Sequence, residues 1–217
     1  MPVVYDRRAA TYDWRWARYI AATAEETLHR LALDGSERRL LDVGCGTGTF
    51  LQRVAITHPT LQGVGVDMSL AMLKRARAKL GARAWLVCAR AEGLPFRKDM
   101  FDRIVAISVP HEWRDPGMIF QGMRSLLAPS GRLILTDWCA EDPRVILKVL
   151  FLKAIRDPAF FRAYRTGRYQ HLIAEAGYEM IRIDRYGAAG WGMMTAIARV
   201  ASRARGSIKL TKFLSVG

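Results

Sequence analysis

The run Leu-Leu-Asp-Val-Gly-Cys-Gly-Thr-Gly-Thr-Phe at residues 40–50 constrains the fold of this chain more than any other segment. A short apolar strand carries an acid, Asp42, and passes into glycines at alternate positions, Gly44, Gly46 and Gly48. Residues without a Cβ reach positive φ and let a ligand approach the backbone closely. The helix that follows aims its free N–H groups and the positive end of its dipole at the same place, which suits a carboxylate or a phosphate.

Strands and helices then alternate. The pattern predicts strands at 39–43, 61–66 (running into Asp67), 84–88, 103–109 and 133–136. Helices are predicted from the glycine turn to about Thr57, from Leu70 to Leu80 with Ser69 as cap and Gly81 past the end, and from Asp115-Pro116 to about Ala128. Residues 93–96, Gly-Leu-Pro-Phe, read as a turn. Two strand-like runs, 178–185 and 191–200, are joined by Gly187-Ala-Ala-Gly190, a link short enough to permit only antiparallel neighbours. The expected fold class is therefore α/β: a doubly wound, mostly parallel seven-stranded sheet with helices on both faces and a C-terminal antiparallel hairpin. Ahead of it, residues 1–36 form a leader that is helical from about Trp14, and the main domain spans 37–200. A helical insertion is expected at 142–165, starting at Asp142-Pro143 and carrying Arg144, Lys148 and Arg156 among apolar residues before Phe160-Phe161. Residues 201–217, with Arg203, Arg205, Lys209 and Lys212, read as a basic flexible tail.

Composition narrows the partners. The chain of 217 residues carries a formal net charge of +14, which favours anionic surroundings such as nucleic acid, a phospholipid surface or an acidic substrate. Three cysteines, Cys45, Cys88 and Cys139, lie in separate apolar segments with no His/Cys cluster at metal-ligand spacing. That pattern fits a reduced cytoplasmic protein with buried thiols and no metal. The first residues lack the apolar region of a secretory signal, and the greasiest stretch, 145–155, is interrupted by lysines and too short to cross a bilayer.

Glycine spacing separates candidate ligands. A dinucleotide fingerprint needs its third glycine at position 49, which is Thr49. Asp67 lies 21 residues after Gly46, where an acid in a doubly wound sheet accepts from ribose hydroxyls, and Met68 beside it is placed to lie along an adenine face. The competing reading is that Asp67 helps to cap the next helix. The Gly-x-Gly-x-Gly pattern with an acid two residues ahead resembles motif I of the class I S-adenosylmethionine-dependent methyltransferases. Residues 88–96, Cys-Ala-Arg-Ala-Glu-Gly-Leu-Pro-Phe, resemble that family's Gly-Asp-Ala-Glu-x-Leu-Pro-Phe segment, with Arg90 in place of the aspartate. The leader around Tyr12-Asp13 resembles the start of the ubiquinone/menaquinone-biosynthesis type, where this segment folds over the cofactor.

The resemblance implies S-adenosylmethionine as cofactor. It implies that Asp42, Gly44, Cys45, Gly46 and Gly48 hold the methionine end, that Asp67 and Met68 hold the nucleoside, and that Arg90, Ala91 and Glu92 border the adenine. An arginine has donors only, so adenine reading must move to the backbone near Ala91 or to Glu92, with Arg90 stacking on the purine or forming an ion pair at the rim. Tyr12 is expected to border the active site. His111 follows the fourth strand, where ligands sit in open α/β sheets, and is the candidate general base; Glu112 and Asp137 are the weaker ones. The expected acceptor is a small or lipid-like molecule methylated at oxygen or carbon, with peripheral contact to an anionic membrane. The sequence leaves the oligomeric state open. Two alternatives stand beside this reading. One is an RNA methyltransferase, disfavoured because Ser108-Val-Pro-His lacks the Asn/Asp-Pro-Pro-aromatic signature. The other is a non-catalytic protein that binds the cofactor.

Overall fold

Buried apolar runs with no polar face mark β1 (Arg39–Val43) as a strand covered on both sides, the behaviour expected at the centre of a parallel sheet. The computed structural model describes residues 2–154 and 162–201. Around β1 are arranged β2 (Gln62–Asp67), β3 (Ala84–Cys88), β4 (Phe101–Ile107), β5 (Leu127–Trp138), β6 (Tyr178–Ala188) and β7 (Trp191–Val200). The sheet order is β3-β2-β1-β4-β5-β7-β6. Strands β1 to β5 pair in parallel, whereas β7 runs antiparallel to both β5 and β6. The order reverses between β1 and β4, which opens a crevice beyond their carboxyl ends.

Helices flank both faces. On one side α2 (Tyr12–His29), α3 (Thr49–Thr57) and α4 (Leu70–Leu80) enclose a core with Leu40, Val105 and Ile134. On the other, α5 (Pro116–Leu126) and α7 (Thr166–Glu175) cover Leu41, Val43, Ile104 and Leu133. Successive residues of one strand thus feed opposite cores, as alternate Cβ directions require. A short α1 (Pro2–Arg8) precedes α2, and α6 (Pro143–Ala154) follows β5.

The seven-stranded sheet and its closing hairpin match the sequence reading; several limits move. Helix α2 begins at Tyr12, two residues early, and α1 adds a turn that the arginine-rich leader did not signal. Residues 91–93 form a 3-10 turn ahead of the expected loop. Strand β5 starts at Leu127 because the chain bulges through Ala-Pro-Ser-Gly instead of leaving the sheet there. A Cβ on Gly131 would meet the Ala128 carbonyl oxygen at 2.9 Å, so the bulge needs glycine. Part of the expected insertion (155–161, with Arg156 and the Phe160-Phe161 pair) and the basic tail beyond 201 lie outside the described residues.

Candidate functional site

The carboxyl ends of β1, β2 and β4 converge on a cavity of about 160 Å³. Gly44, Gly46, Asp67 and Met68 line one part of it, Ala89, Arg90, Ala91 and Glu92 another, and Tyr5 and Tyr12 of the first two helices also border it. The three motif glycines do different work. Gly44 sits at φ +78 and a Cβ there would strike the Val109 side chain at 2.9 Å. Gly46, at φ +53, would meet no protein atom within 4 Å, so its missing side chain leaves open space at the cavity wall. Gly48, also at φ +78, lies outside the cavity lining; a Cβ there would meet Leu80 at 2.8 Å and Ala76 at 3.0 Å, so this glycine lets the loop rest on α4. Cys45 is buried with its sulfur beneath the loop, where a Cβ on Gly65 would meet it at 2.8 Å.

The acids near the glycine loop are electrostatically strained. Asp42 is buried, and desolvation, with a smaller contribution from Asp67, pushes its carboxyl up to about 8. Burial raises Asp67 as well, opposed by bonds from Ser69 N–H (2.8 Å) and Gly46 N–H (2.9 Å). Each Asp67 oxygen retains accepting capacity, since an ionised carboxylate offers about four lone-pair sites. Arg90 turns to the rim, its side chain 66% exposed, and pairs with Glu92 at 3.2 Å. An ion pair at the rim is one of the two roles read for it from the sequence.

A second cavity of about 90 Å³ adjoins the first and shares Tyr5, Tyr12, Ser108 and Glu112 with it. Its walls are aromatic: Trp16, Tyr19, Trp138 and Trp191, with Leu152 from α6. His111 lines this chamber, stacked on Trp138 at 4.1 Å, and Trp138 stacks in turn on Trp191 at 4.7 Å. His111 Nδ1 lies 2.7 Å from Oδ1 of fully buried Asp137. A carboxylate only accepts, so Nδ1 carries the hydrogen and Nε2 is the basic nitrogen of the neutral ring. Nε2 stands 3.8 Å from Glu112 Oε1. Burial pushes Glu112 up to about 7, against the lowering pull of His111 and of the Tyr5 hydroxyl that donates to it. Burial also holds the Tyr12 phenol well above its ordinary value, so it stays protonated. Ser108, which borders both cavities, adopts φ +55, a conformation costly for a residue with a Cβ and frequent where a site imposes it. Its hydroxyl is held by Tyr19 at 2.6 Å, and Tyr19 accepts from Trp138 Nε1 at 2.7 Å.

The first two helices are fastened across the opening by charge. Asp13 pairs with Lys79 at 3.0 Å and accepts from Thr47, while Lys79 also donates to Thr49 at 2.7 Å. Asp6 accepts from Ser69 Oγ at 2.6 Å at the start of α4. The sequence reading singled out Tyr12 and His111 but missed Tyr5, Tyr19, Ser108 and the tryptophan stack. Trp138 at the carboxyl end of β5 and Trp191 opening β7 were the available signal, because sheet ends beside a switch point face the ligand crevice.

Residues 41–135 match the family described as "Methyltransferase domain". Trans-aconitate 2-methyltransferase of Methylobacterium radiotolerans is 32% identical over 187 residues, covering 77% of this chain and 70% of its own. The chain belongs to the S-adenosylmethionine-dependent methyltransferases. The malonyl-[acyl-carrier protein] O-methyltransferase of Legionella pneumophila is 41% identical over 101 residues, but this methyltransferase-family chain covers only 36% of that protein's length. In fold, it superposes with TM-score 0.80 at 17% identity on a chain in the complex of the Haloferax volcanii Trm112 methyltransferase activator with a methyltransferase, covering 91% of this chain and 98% of that one. The family's cofactor is S-adenosylmethionine, and the cavity fits it. Open space at Gly46 admits a backbone-hugging group and half-buried Asp67 on the lining retains acceptor capacity, whereas Asp42 is buried outside this lining.

Proposed function

We propose that this chain transfers a methyl group from S-adenosylmethionine to an oxygen or carbon of a small, lipophilic acceptor. The observation that supports this reading is that the two cavities adjoin, with Tyr5, Tyr12, Ser108 and Glu112 bordering both. One chamber has the polar backbone and acids of a cofactor cradle, and the other has the aromatic walls of a site for a flat apolar molecule. When bound, S-adenosylmethionine supplies an electrophilic methyl carbon attached to a cationic sulfur. Asp42, Gly44 and Gly46, with Cys45 and Gly48 shaping the loop, hold its amino-acid end. Asp67 accepts from the ribose hydroxyls, and Met68 with Ala91 and Glu92 contains the adenine, Arg90 closing the rim.

Around the acceptor, His111 Nε2 takes the proton from a hydroxyl while Asp137 stabilises the imidazolium that results. Tyr12, kept protonated by burial, borders both chambers as a donor. The helices α1 and α2 keep water from the reacting groups, which strengthens every electrostatic interaction there. An acceptor cavity of about 90 Å³ suits a single ring more than a nucleotide embedded in RNA. Peripheral contact with an anionic membrane, not nucleic acid, then accounts for the charge of +14. Incubation with S-adenosylmethionine and a panel of phenols, hydroquinones and isoprenoid alcohols should give a product one methyl heavier by mass spectrometry. Binding of the cofactor with no turnover on any such compound, and turnover on RNA, would replace this acceptor assignment.

A further inference from the structure

Helix α6 carries its apolar residues on the wrong side for a domain surrounded by water. Val145, Val149 and Leu152 point inward, Val145 fully buried and Leu152 against the acceptor cavity. On the opposite face Leu147 is 71%, Leu150 60% and Phe151 63% exposed. A helix at a protein–water boundary presents polar residues outward, and this one presents two leucines and a phenylalanine within little more than one turn. At 100° per residue these three span one stripe, with Lys153 on one flank and Arg144, paired with Asp142 at 2.7 Å, on the other. Helix α6 contains no acidic residue. Lys148 does not join the stripe: its amine lies 3.6 Å over the Trp191 ring and donates to the Gly190 carbonyl.

A second element at the same cavity repeats the pattern. Trp16 and Tyr19 of α2 line the chamber, and on the reverse of that helix Trp14 is 85% exposed beside exposed Arg15 and Arg18. The acids farther along α2, Glu25 and Glu26, are engaged by Arg53 and Arg30. Exposed tryptophan and leucine set among arginine and lysine is the composition of helices that lie in the headgroup region of a bilayer.

We propose that the outer face of α6, with Leu147, Leu150 and Phe151 as its apolar contact and Lys153 and Arg144 at its flanks, docks this protein on an anionic membrane surface. The proposal rests on the lipophilic-acceptor reading above and deepens it, because Leu152 on the inner face of the same helix is a wall of the acceptor cavity. Docking therefore holds the acceptor chamber against the bilayer in which such an acceptor dissolves. A second copy of this chain is the poorer occupant, since two molecules of net charge +14 repel. No helix among the described residues is long and apolar enough to cross a membrane, so the contact is peripheral.

The test is co-sedimentation of the full chain with vesicles of phosphatidylcholine alone and of phosphatidylcholine mixed with phosphatidylglycerol. The expected result is binding to the anionic vesicles that weakens with added salt. The combined substitution Leu147→Ser, Leu150→Ser and Phe151→Ser should lower it by about tenfold or more, and Lys153→Glu should weaken it separately. Circular dichroism and calorimetric titration with S-adenosylmethionine accompany each variant; both should match the parent, because the replaced side chains are exposed. Absence of vesicle binding, or binding that survives the triple substitution, overturns the proposal. So does concentration-dependent dimerisation in sedimentation velocity that the triple substitution abolishes. Vesicle binding by a chain that fails to bind S-adenosylmethionine would sink the catalytic reading and leave the docking surface standing.

Discussion

Asp42 illustrates how a buried acid is held at a cost to the fold. Its carboxyl titrates at about 8 in the folded chain against an ordinary value of 3.8, so the folded state binds the proton more tightly. Stability contributed by this group is therefore present at low pH and falls between the two values as pH rises, by of order a few kcal/mol in all. Replacing the acid by its neutral isostere should reverse that loss. Asp42→Asn is expected to raise the melting temperature at neutral pH while weakening S-adenosylmethionine binding, measured by thermal denaturation and calorimetry on the same preparation. A second expectation concerns the pair at the chamber junction. His111 Nε2 lies 3.8 Å from Glu112, whose carboxyl burial pushes up to about 7, so kcat/KM should decline below about pH 7 as the site takes up a proton. Glu112→Gln removes the anion beside the imidazole and should move this limb to lower pH. His111→Asn should lower kcat by about 10²–10⁴ for a hydroxyl acceptor. An unshifted limb in Glu112→Gln would separate the two groups.

Among the elements, the glycine loop and the first two helices divide the labour between holding shape and enclosing ligand. Gly48→Ala meets both a left-handed φ and contacts with Leu80 and Ala76, and should destabilise the fold by about 1–3 kcal/mol. Gly46→Ala adds a methyl into open space at the cavity wall, so its effect should be weighted towards cofactor affinity, with strain the smaller part. Equal affinity loss in both variants, by calorimetry, would remove this distinction. Sequence spacing singled out three glycines but not which of them border the cavity, because that depends on how closely α4 approaches the loop. The same limit explains the bulge at Gly131, which falls between the helix predicted to about Ala128 and the strand predicted from 133 and depends on its neighbours on β4. Asp13 shows the converse: the pair Tyr12-Asp13 was legible, yet its partners Thr47 and Lys79 come from two other elements. Asp13→Ala should loosen α2 over the cavity, raising the dissociation constant for the cofactor by about 3- to 30-fold through lost charge-assisted bonds. Limited proteolysis should then cut the N-terminal segment faster.

For the whole molecule, the alternation of strands and helices was enough to give the sheet, its parallel centre and its antiparallel closing hairpin. The polar chamber's lining was legible because its residues are local in sequence, at strand ends followed by turns. The aromatic chamber was not, since Trp16, Tyr19, Trp138, Leu152 and Trp191 meet only after α2, β5, α6 and β7 have packed. Tyr5, Tyr12, Ser108 and Glu112 border both chambers, so the two lie side by side. Methyl transfer requires the polar chamber to receive S-adenosylmethionine, and isothermal titration of the full chain measures that directly. One molecule of cofactor should bind per chain, and Asp67→Asn should weaken binding by about 10- to 100-fold, the value of charge-assisted hydrogen bonds to the ribose. No heat of binding, or binding of equal strength in the Asp67→Asn variant, would contradict it.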